Sequence, residues 1–188
     1  DIVKTHIDII EDVDDDFIKE LKLKSKEYNF KIWEDRKFAD IGSIVEKQLL
    51  SGYKIAEWAD YISVHLISGE SIINSIKEIC VEKDIKIFVI YEMSSKGNLI
   101  DESYKEKVKN IISNNKDLIV GAVTQSFISE EILHVTPGIN LELKTDGKGQ
   151  QYKNIKDLKF TDIYVIGRGI YNATDPKEAV FKYKCCNC

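Results

Sequence analysis

Short runs of β-branched and aromatic residues recur along the chain, separated by longer stretches in which apolar residues return every three or four positions. The runs predict strands at Ile2–Thr5, Asn29–Glu34, Tyr61–Leu66, Ile85–Tyr91, Leu118–Thr124, Ile132–Val135 and Asp162–Ile166. The amphipathic stretches predict helices at Asp15–Tyr28, Ser43–Leu50, Ser71–Glu82, Tyr104–Asn114, Asn154–Leu158 and Asp175–Tyr183, and Ser126–Glu131 leaves space for only a short helical turn. Strand and helix alternate, which predicts parallel strands joined by helical crossovers, an α/β fold. Seven strands in one unbroken series, without a linker or a shift in composition, predict a single TIM (β/α)8-type barrel over residues 1–183. About seven of its eight βα units are visible, and a short cysteine-rich tail follows at 184–188. A barrel left open at one unit exposes unpaired strand edges, so a completing unit is expected from outside these seven.

Composition narrows the partners. A formal net charge of −5, with lysines scattered among acids, gives no basic stripe for a nucleic-acid backbone. No apolar run approaches the ~18 residues of a membrane span, and the opening Asp1-Ile2-Val3-Lys4 lacks signal-peptide character, so the expectation is a cytoplasmic protein with no membrane partner. The one methionine is Met93 and none stands at position 1, which points to a processed, trimmed or incomplete chain. Cys80 stands alone, and Cys185, Cys186 and Cys188 crowd the end. The C-x-x-C spacing of Cys185 and Cys188 has no second pair or nearby histidine to complete a zinc set, so no metal is expected there.

The polar clusters that follow the strands carry the candidate chemistry, because the βα loops of such barrels gather at one face. Strand alternation puts Trp33, Asp35 and Lys37 on one side, with Asp40 where the chain leaves the strand. Taken alone, D-x-K-x-x-D also fits a solvated ion pair. Lys4 ends the first strand, and an adjacent strand could bring it beside Asp35. Opposite charges about 4 Å apart attract by roughly 4 kcal/mol at an effective dielectric near 20, enough for an alternating Lys4-Asp35-Lys37-Asp40 chain to keep all four groups ionised. Gly167 and Gly169 flank Arg168 after the last strand, a pattern suited to a phosphate seat.

Seven segments then occur in a telling order: KTHIDI at 4–9, WEDRKFADIG at 33–42, YKIAEWAD at 53–60, EMSSKGNL at 92–99, HVTPG at 134–138, GQQY at 149–152 and IGRGI at 166–170. Together they closely resemble the orotidine 5′-monophosphate (OMP) decarboxylases, especially the eukaryotic type found as the second domain of bifunctional UMP synthases. The resemblance runs from Ile2 to about Ala179. It implies conversion of OMP to UMP in pyrimidine biosynthesis, with no cofactor and no metal. Lys4, Asp35, Lys37 and Asp40 would form the charged network at the reacting carbon, with Lys37 protonating C6 and Asp35 against the substrate carboxylate. Asp40 would be lent to the neighbouring subunit of a homodimer.

By the same resemblance Ser94 reads the pyrimidine, Gln150 and Tyr152 close over the phosphate, and Pro137, Gly167 and Arg168 belong to the substrate-binding set. His6 takes a supporting place beside the network, while His65 and His134 are expected to be structural. Ile44 stands where the family usually has a threonine contacting the partner's ribose. Losing that hydrogen bond is expected to weaken binding by about 0.5–1.5 kcal/mol. The family's first strand, with an aspartate for the ribose and a serine near the base, would precede Asp1. The implied barrel is therefore N-terminally incomplete, its activity in isolation is left open, and a fused upstream orotate phosphoribosyltransferase domain is compatible with the pattern.

Two other readings compete. One is a metal-dependent sugar-phosphate decarboxylase or aldolase of the same barrel group, which EMSS and GQQY disfavour. The other is a catalytically inactive, truncated nucleotide-binding domain.

Overall fold

The computed structural model describes residues 1–185. Its strands are β1 (Ile2–Thr5), β2 (Lys31–Phe38), β3 (Tyr61–His65), β4 (Lys86–Ile90), β5 (Ile119–Val123), β6 (Leu133–Thr136) and β7 (Ile163–Tyr164), and strand order follows chain order. The helices are α1 (Asp15–Tyr28), α2 (Gly42–Leu50), α3 (Ser71–Glu82), α4 (Glu102–Asn114), α5 (Arg168–Tyr171) and α6 (Pro176–Cys185). Among the described residues no helix is long and apolar enough to cross a membrane. Cys185 is exposed, whereas Cys186 and Cys188 of the expected tail lie outside the described residues.

Two compact units are present. The first comprises Asp1–Ile90 with Glu106–Val120. Here β1, β2, β3 and β4 pair in parallel, and the Ile87 amide donates to the Leu118 carbonyl at 2.9 Å. β3 and β4 are buried along nearly their whole length, as expected of parallel strands joined by helices. Phe88 is fully buried, stacks on Tyr61 at 4.8 Å and meets Trp33 edge-on at 5.0 Å. On α2 and α3, Val45, Leu49, Ile72 and Ile76 are wholly buried, whereas α1 buries no residue completely. A side chain at Gly42 would collide with Ser75, so glycine permits the start of α2 to approach α3 closely. α1 starts where Asp14 accepts the Phe17 amide at 2.8 Å and stops at Asn29, whose left-handed conformation asparagine tolerates.

The second unit comprises Tyr91–Lys105 and the described residues from Gly121 onward. β5, β6 and β7 pair in parallel, and Ile139, Ile155, Leu158 and Tyr183 form a core beneath Tyr164, Ile166 and Ile170. Asp101 and Asp175 accept amides of Tyr104 and Glu178 at the starts of α4 and α6.

Several expectations change. β2 was expected to stop at Glu34 but runs to Phe38, because neighbouring groups satisfy its buried acids and a register shift between Glu34 and Lys37 absorbs the irregularity. The expected helix at 154–158 is a single 3₁₀ turn, Ile155–Asp157, too short to bury a helical stripe. The stretch 126–131 forms no helix, only a turn at 130–131, in keeping with the little space expected there, and Arg168, just after Gly167, opens the short helix α5, which the pattern did not predict.

Phe88→Ala removes a ring in contact with two others and should cost about 3–5 kcal/mol of stability. Denaturant unfolding checks this; a loss below about 1 kcal/mol would mean the site collapses around the cavity.

Candidate active site

Three of the four charged residues singled out in the sequence come together in the first unit. The parallel register sets Lys4 opposite Trp33 and Thr5 opposite Glu34, which carries the Lys4 side chain to the acid one residue further on. Lys4 Nζ lies 2.9 Å from Asp35 Oδ2, and Lys37 Nζ lies 3.1 Å from Asp35 Oδ1. His6 Nε2 is 3.2 Å from Oδ2. From β3, the Ser63 hydroxyl donates to Oδ1 at 2.6 Å and accepts from Trp33 Nε1 at 2.9 Å. Asp35 is only 7% exposed. Burial alone would push its carboxyl up, yet His6, Lys4, Lys37 and Ser63 together hold it well below the usual carboxylate range. It is therefore a buried anion at neutral pH, gripped by two ammoniums that each retain access to solvent.

Asp40 does not join this cluster. It is exposed just before α2, and its Oδ1 accepts the Ile41 amide at 2.7 Å. Ile41 and Ile44 beside it are exposed hydrophobics. The four-membered chain of charges is thus three-membered within one copy. His65 lies near the network, where burial, and then Lys37, lower its basicity.

Neutral His134 is built into the second unit: Nε2 accepts the Ile128 amide at 3.0 Å, so Nδ1 carries the proton toward Asp162, also at 3.0 Å.

His6, Asp8 and Glu34 each place one oxygen or nitrogen within 4.8 Å of the others. The spacing resembles a cation site, but the donor set does not. Both Glu34 oxygens already accept from Thr5, Ile7 and Arg36, and Asp8 faces the Arg36 guanidinium at 3.8 Å.

In the second unit the remaining candidates cluster around one loop. Ser94 Oγ donates to Gln150 Oε1 at 3.3 Å, and the Gln151 amide donates to the Ser94 carbonyl at 3.2 Å. Gly138 takes φ +78°, and any side chain there would strike Gln150 and Gln151. The Pro137 carbonyl accepts from Gln125 Nε2 at 2.9 Å. Arg168 Nη1 donates to Asp146 Oδ2 at 2.6 Å, and its guanidinium lies 5.5 Å from the Tyr152 ring centre. Gly167 is the residue just before α5. Arg168, Tyr152, Asp146 and Lys148 line one cleft of about 760 Å³.

Sequence reasoning missed Ser63, Asp146, Glu92 and Lys105. Ser63 and Asp146 are ordinary residues until the fold brings them to Asp35 and Arg168. Glu92 accepts from Lys105 Nζ at 2.7 Å, the Gln125 amide at 2.7 Å, Ser126 Oγ at 2.8 Å and Thr124 Oγ1 at 2.9 Å. Two residues later comes Ser94, so this carboxylate ties the base of the Ser94 loop to the end of β5. Burial favours the protonated acid, but Lys105 and the other donors pull its pKa from 4.5 down to about 2. Because the folded value is depressed, Glu92 contributes stability above pH about 4.5, and that contribution fades as pH falls toward about 2. Glu92→Gln should therefore lower stability at pH 7 and flatten the loss between pH 5 and 2, measured by thermal melts across that range. An unchanged acid limb would rule out Glu92 as its source.

Comparison with known proteins identifies the family. The model of the orotidine 5′-phosphate decarboxylase / HUMPS family matches residues 1–183. An orotidine 5′-phosphate decarboxylase of Phycomyces blakesleeanus is 39% identical over 189 residues, spanning 96% of this chain and 71% of the relative. The Schizosaccharomyces pombe enzyme of the same name is 40% identical, over 92% of this chain and 68% of its own. A uridine 5′-monophosphate synthase of Bos taurus is 36% identical over 97% of this chain, which spans 39% of that protein. Among solved structures, orotidine 5′-monophosphate decarboxylase from Methanocaldococcus jannaschii, complexed with the inhibitor BMP, superposes with a TM-score of 0.71. The match has 24% identity and covers 98% of this chain and 85% of that one. The fold is the TIM (β/α)8-type barrel, seven of whose eight units are visible in this chain. The order of the seven motifs, the buried Lys4-Asp35-Lys37 cluster and these matches lead to one conclusion: the chain belongs to the orotidine 5′-phosphate decarboxylase / HUMPS family.

Proposed function

We propose that residues 1–183 carry out decarboxylation of OMP to UMP, a carboxy-lyase step in pyrimidine biosynthesis, using side chains alone. The observation that carries this reading is the buried Asp35 carboxylate held between the ammoniums of Lys4 and Lys37 at 2.9 and 3.1 Å. Heterolysis of the C6–carboxylate bond releases carbon dioxide and leaves the electron pair on C6. That anion needs a fixed cation close by, and then a proton. Lys37 supplies both: its charge stabilises the developing carbanion, and its Nζ–H moves to C6 to give UMP. Asp35, ionised beside the reactant carboxylate, repels it in the ground state, and that repulsion ends as carbon dioxide departs. Lys4, His6 and Ser63 keep Asp35 charged and in place.

Remote parts of the substrate hold it for this step. Ser94 serves the pyrimidine, and Gln150, Tyr152 and Arg168, with the Pro137 and Gly167 backbone, serve the phosphate. Arg168 has five N–H donors, so its Asp146 contact leaves others for an oxyanion. Binding energy at the phosphate then helps lower the barrier at C6.

Asp40 acts in a second copy of the chain. Its exposure beside Ile41 and Ile44 fits a residue that functions across a homodimer interface.

Lys37→Ala should reduce OMP turnover roughly a thousandfold or more while leaving the protein folded, because Asp35 keeps Lys4, His6 and Ser63. Arg168→Ala should raise KM about 10–100-fold. An absorbance assay of OMP loss, run with a chelator present, measures both; near-normal turnover by Lys37→Ala would sink the mechanism, and activity lost to the chelator would favour the metal-dependent alternative. Sedimentation at micromolar concentration should give a dimer, and a monomer that turns over OMP would remove Asp40 from the partner's site.

A further inference from the structure

We propose that Glu34 is a positioning residue for the reaction, its carboxylate fixing the backbone that presents Lys4, His6, Asp35 and Lys37. The inference rests on the reading of that network as the reacting end.

Glu34 is wholly buried and neighbours Asp35 in β2. Its Oε2 accepts from Thr5 Oγ1 at 2.7 Å and from the Ile7 amide at 3.1 Å. Its Oε1 accepts from the Arg36 amide at 2.8 Å and again from Ile7 at 3.3 Å. Thr5 follows Lys4, Ile7 follows His6, and Arg36 separates Asp35 from Lys37. One side chain therefore holds the Thr5 hydroxyl next to Lys4 and the backbone amides next to His6 and between Asp35 and Lys37.

The fold explains why a carboxylate is suited to this place. The β1–β2 ladder ends at the Thr5–Glu34 pair, and the chain then turns into the 3₁₀ segment Ile7–Ile9, so the Ile7 amide lies beyond the ladder. The register shift between Glu34 and Lys37 leaves Arg36 out of the β2–β3 pairing in the same way. Two amides displaced from the sheet need a buried acceptor, and Glu34 provides it. Glutamine at this position fills the same volume but brings one NH2. Whichever way the amide group turns, that NH2 faces the Arg36 or the Ile7 N–H, donor against donor. The backbone beside Asp35 or His6 must then shift by a few tenths of an ångström or more.

The test compares the wild-type chain with Glu34→Gln. Calorimetric titration with UMP counts binding sites, and OMP decarboxylation gives turnover per site. The expected result is UMP affinity within about twofold of wild type, KM little changed, and kcat per site lower by about tenfold or more. Unchanged kcat per UMP-binding site, even with a lower melting temperature, would overturn the proposal, because Glu34 would then only support the fold. If Glu34→Gln does not fold, Thr5→Val removes a single donor and should lower kcat per site about threefold; unchanged turnover there overturns the proposal equally. A wild-type chain that consumes no OMP overturns the decarboxylase reading and this inference together, whereas an active wild type with unaltered variants overturns only the role of Glu34.

Discussion

A carboxylate removed from water must find its counter-charges inside the protein, and Asp35 sets that constraint on the first unit. Burial of an ion costs several kcal/mol, and the cost is recovered only where geometry and hydrogen bonding are both good. Lys4 and Lys37 flank opposite oxygens, His6 shares one of them with Lys4, and Ser63 donates to the other. These partners come from β1, from the turn that follows it, from β2 itself and from β3. Parallel pairing in the observed register is what brings them within about 3 Å. On the proposed mechanism this balance matters for the chemistry: an anion kept ionised beside cations that are already in place does not have to reorganise when charge develops at a reacting carbon.

The second unit solves a related problem with different parts. Glu92 anchors the Ser94 loop through four donors, and Asp146 anchors the 146–152 loop through the Lys148 and Gln150 amides while pairing with Arg168. The chain's net charge of −5 therefore says little about either site. Local geometry places cations against single carboxylates, and the potential at each site is set by those groups rather than by the average sign of the surface.

Local physics was legible in the sequence wherever it acted alone. The βα alternation, the number of strands, the α1 span from Asp15 to Tyr28 and the shared face of Trp33, Asp35 and Lys37 follow from periodicity and strand alternation. The limits of β2 did not follow, since four consecutive charged residues read as an exit from the sheet until their buried partners are known. The 3₁₀ turn at Ile155–Asp157 was misread as a helix because a five-residue window cannot separate the two. Asp40, grouped with the network by spacing, stands apart from it in a single copy of the chain.

The sequence by itself determined the family, the parallel α/β architecture and the identity of the principal charged residues, because each is written in residues close together or in a fixed order. Tertiary structure alone decided that Asp35 is buried and still ionised, that Ser63 completes its shell, that Glu34 holds the displaced amides of Ile7 and Arg36, and that Asp146 occupies Arg168. Each of these depends on register between segments roughly thirty residues apart or on a loop folding back, and distance and burial, which set the strength of a charge, are properties of space rather than of order along the chain.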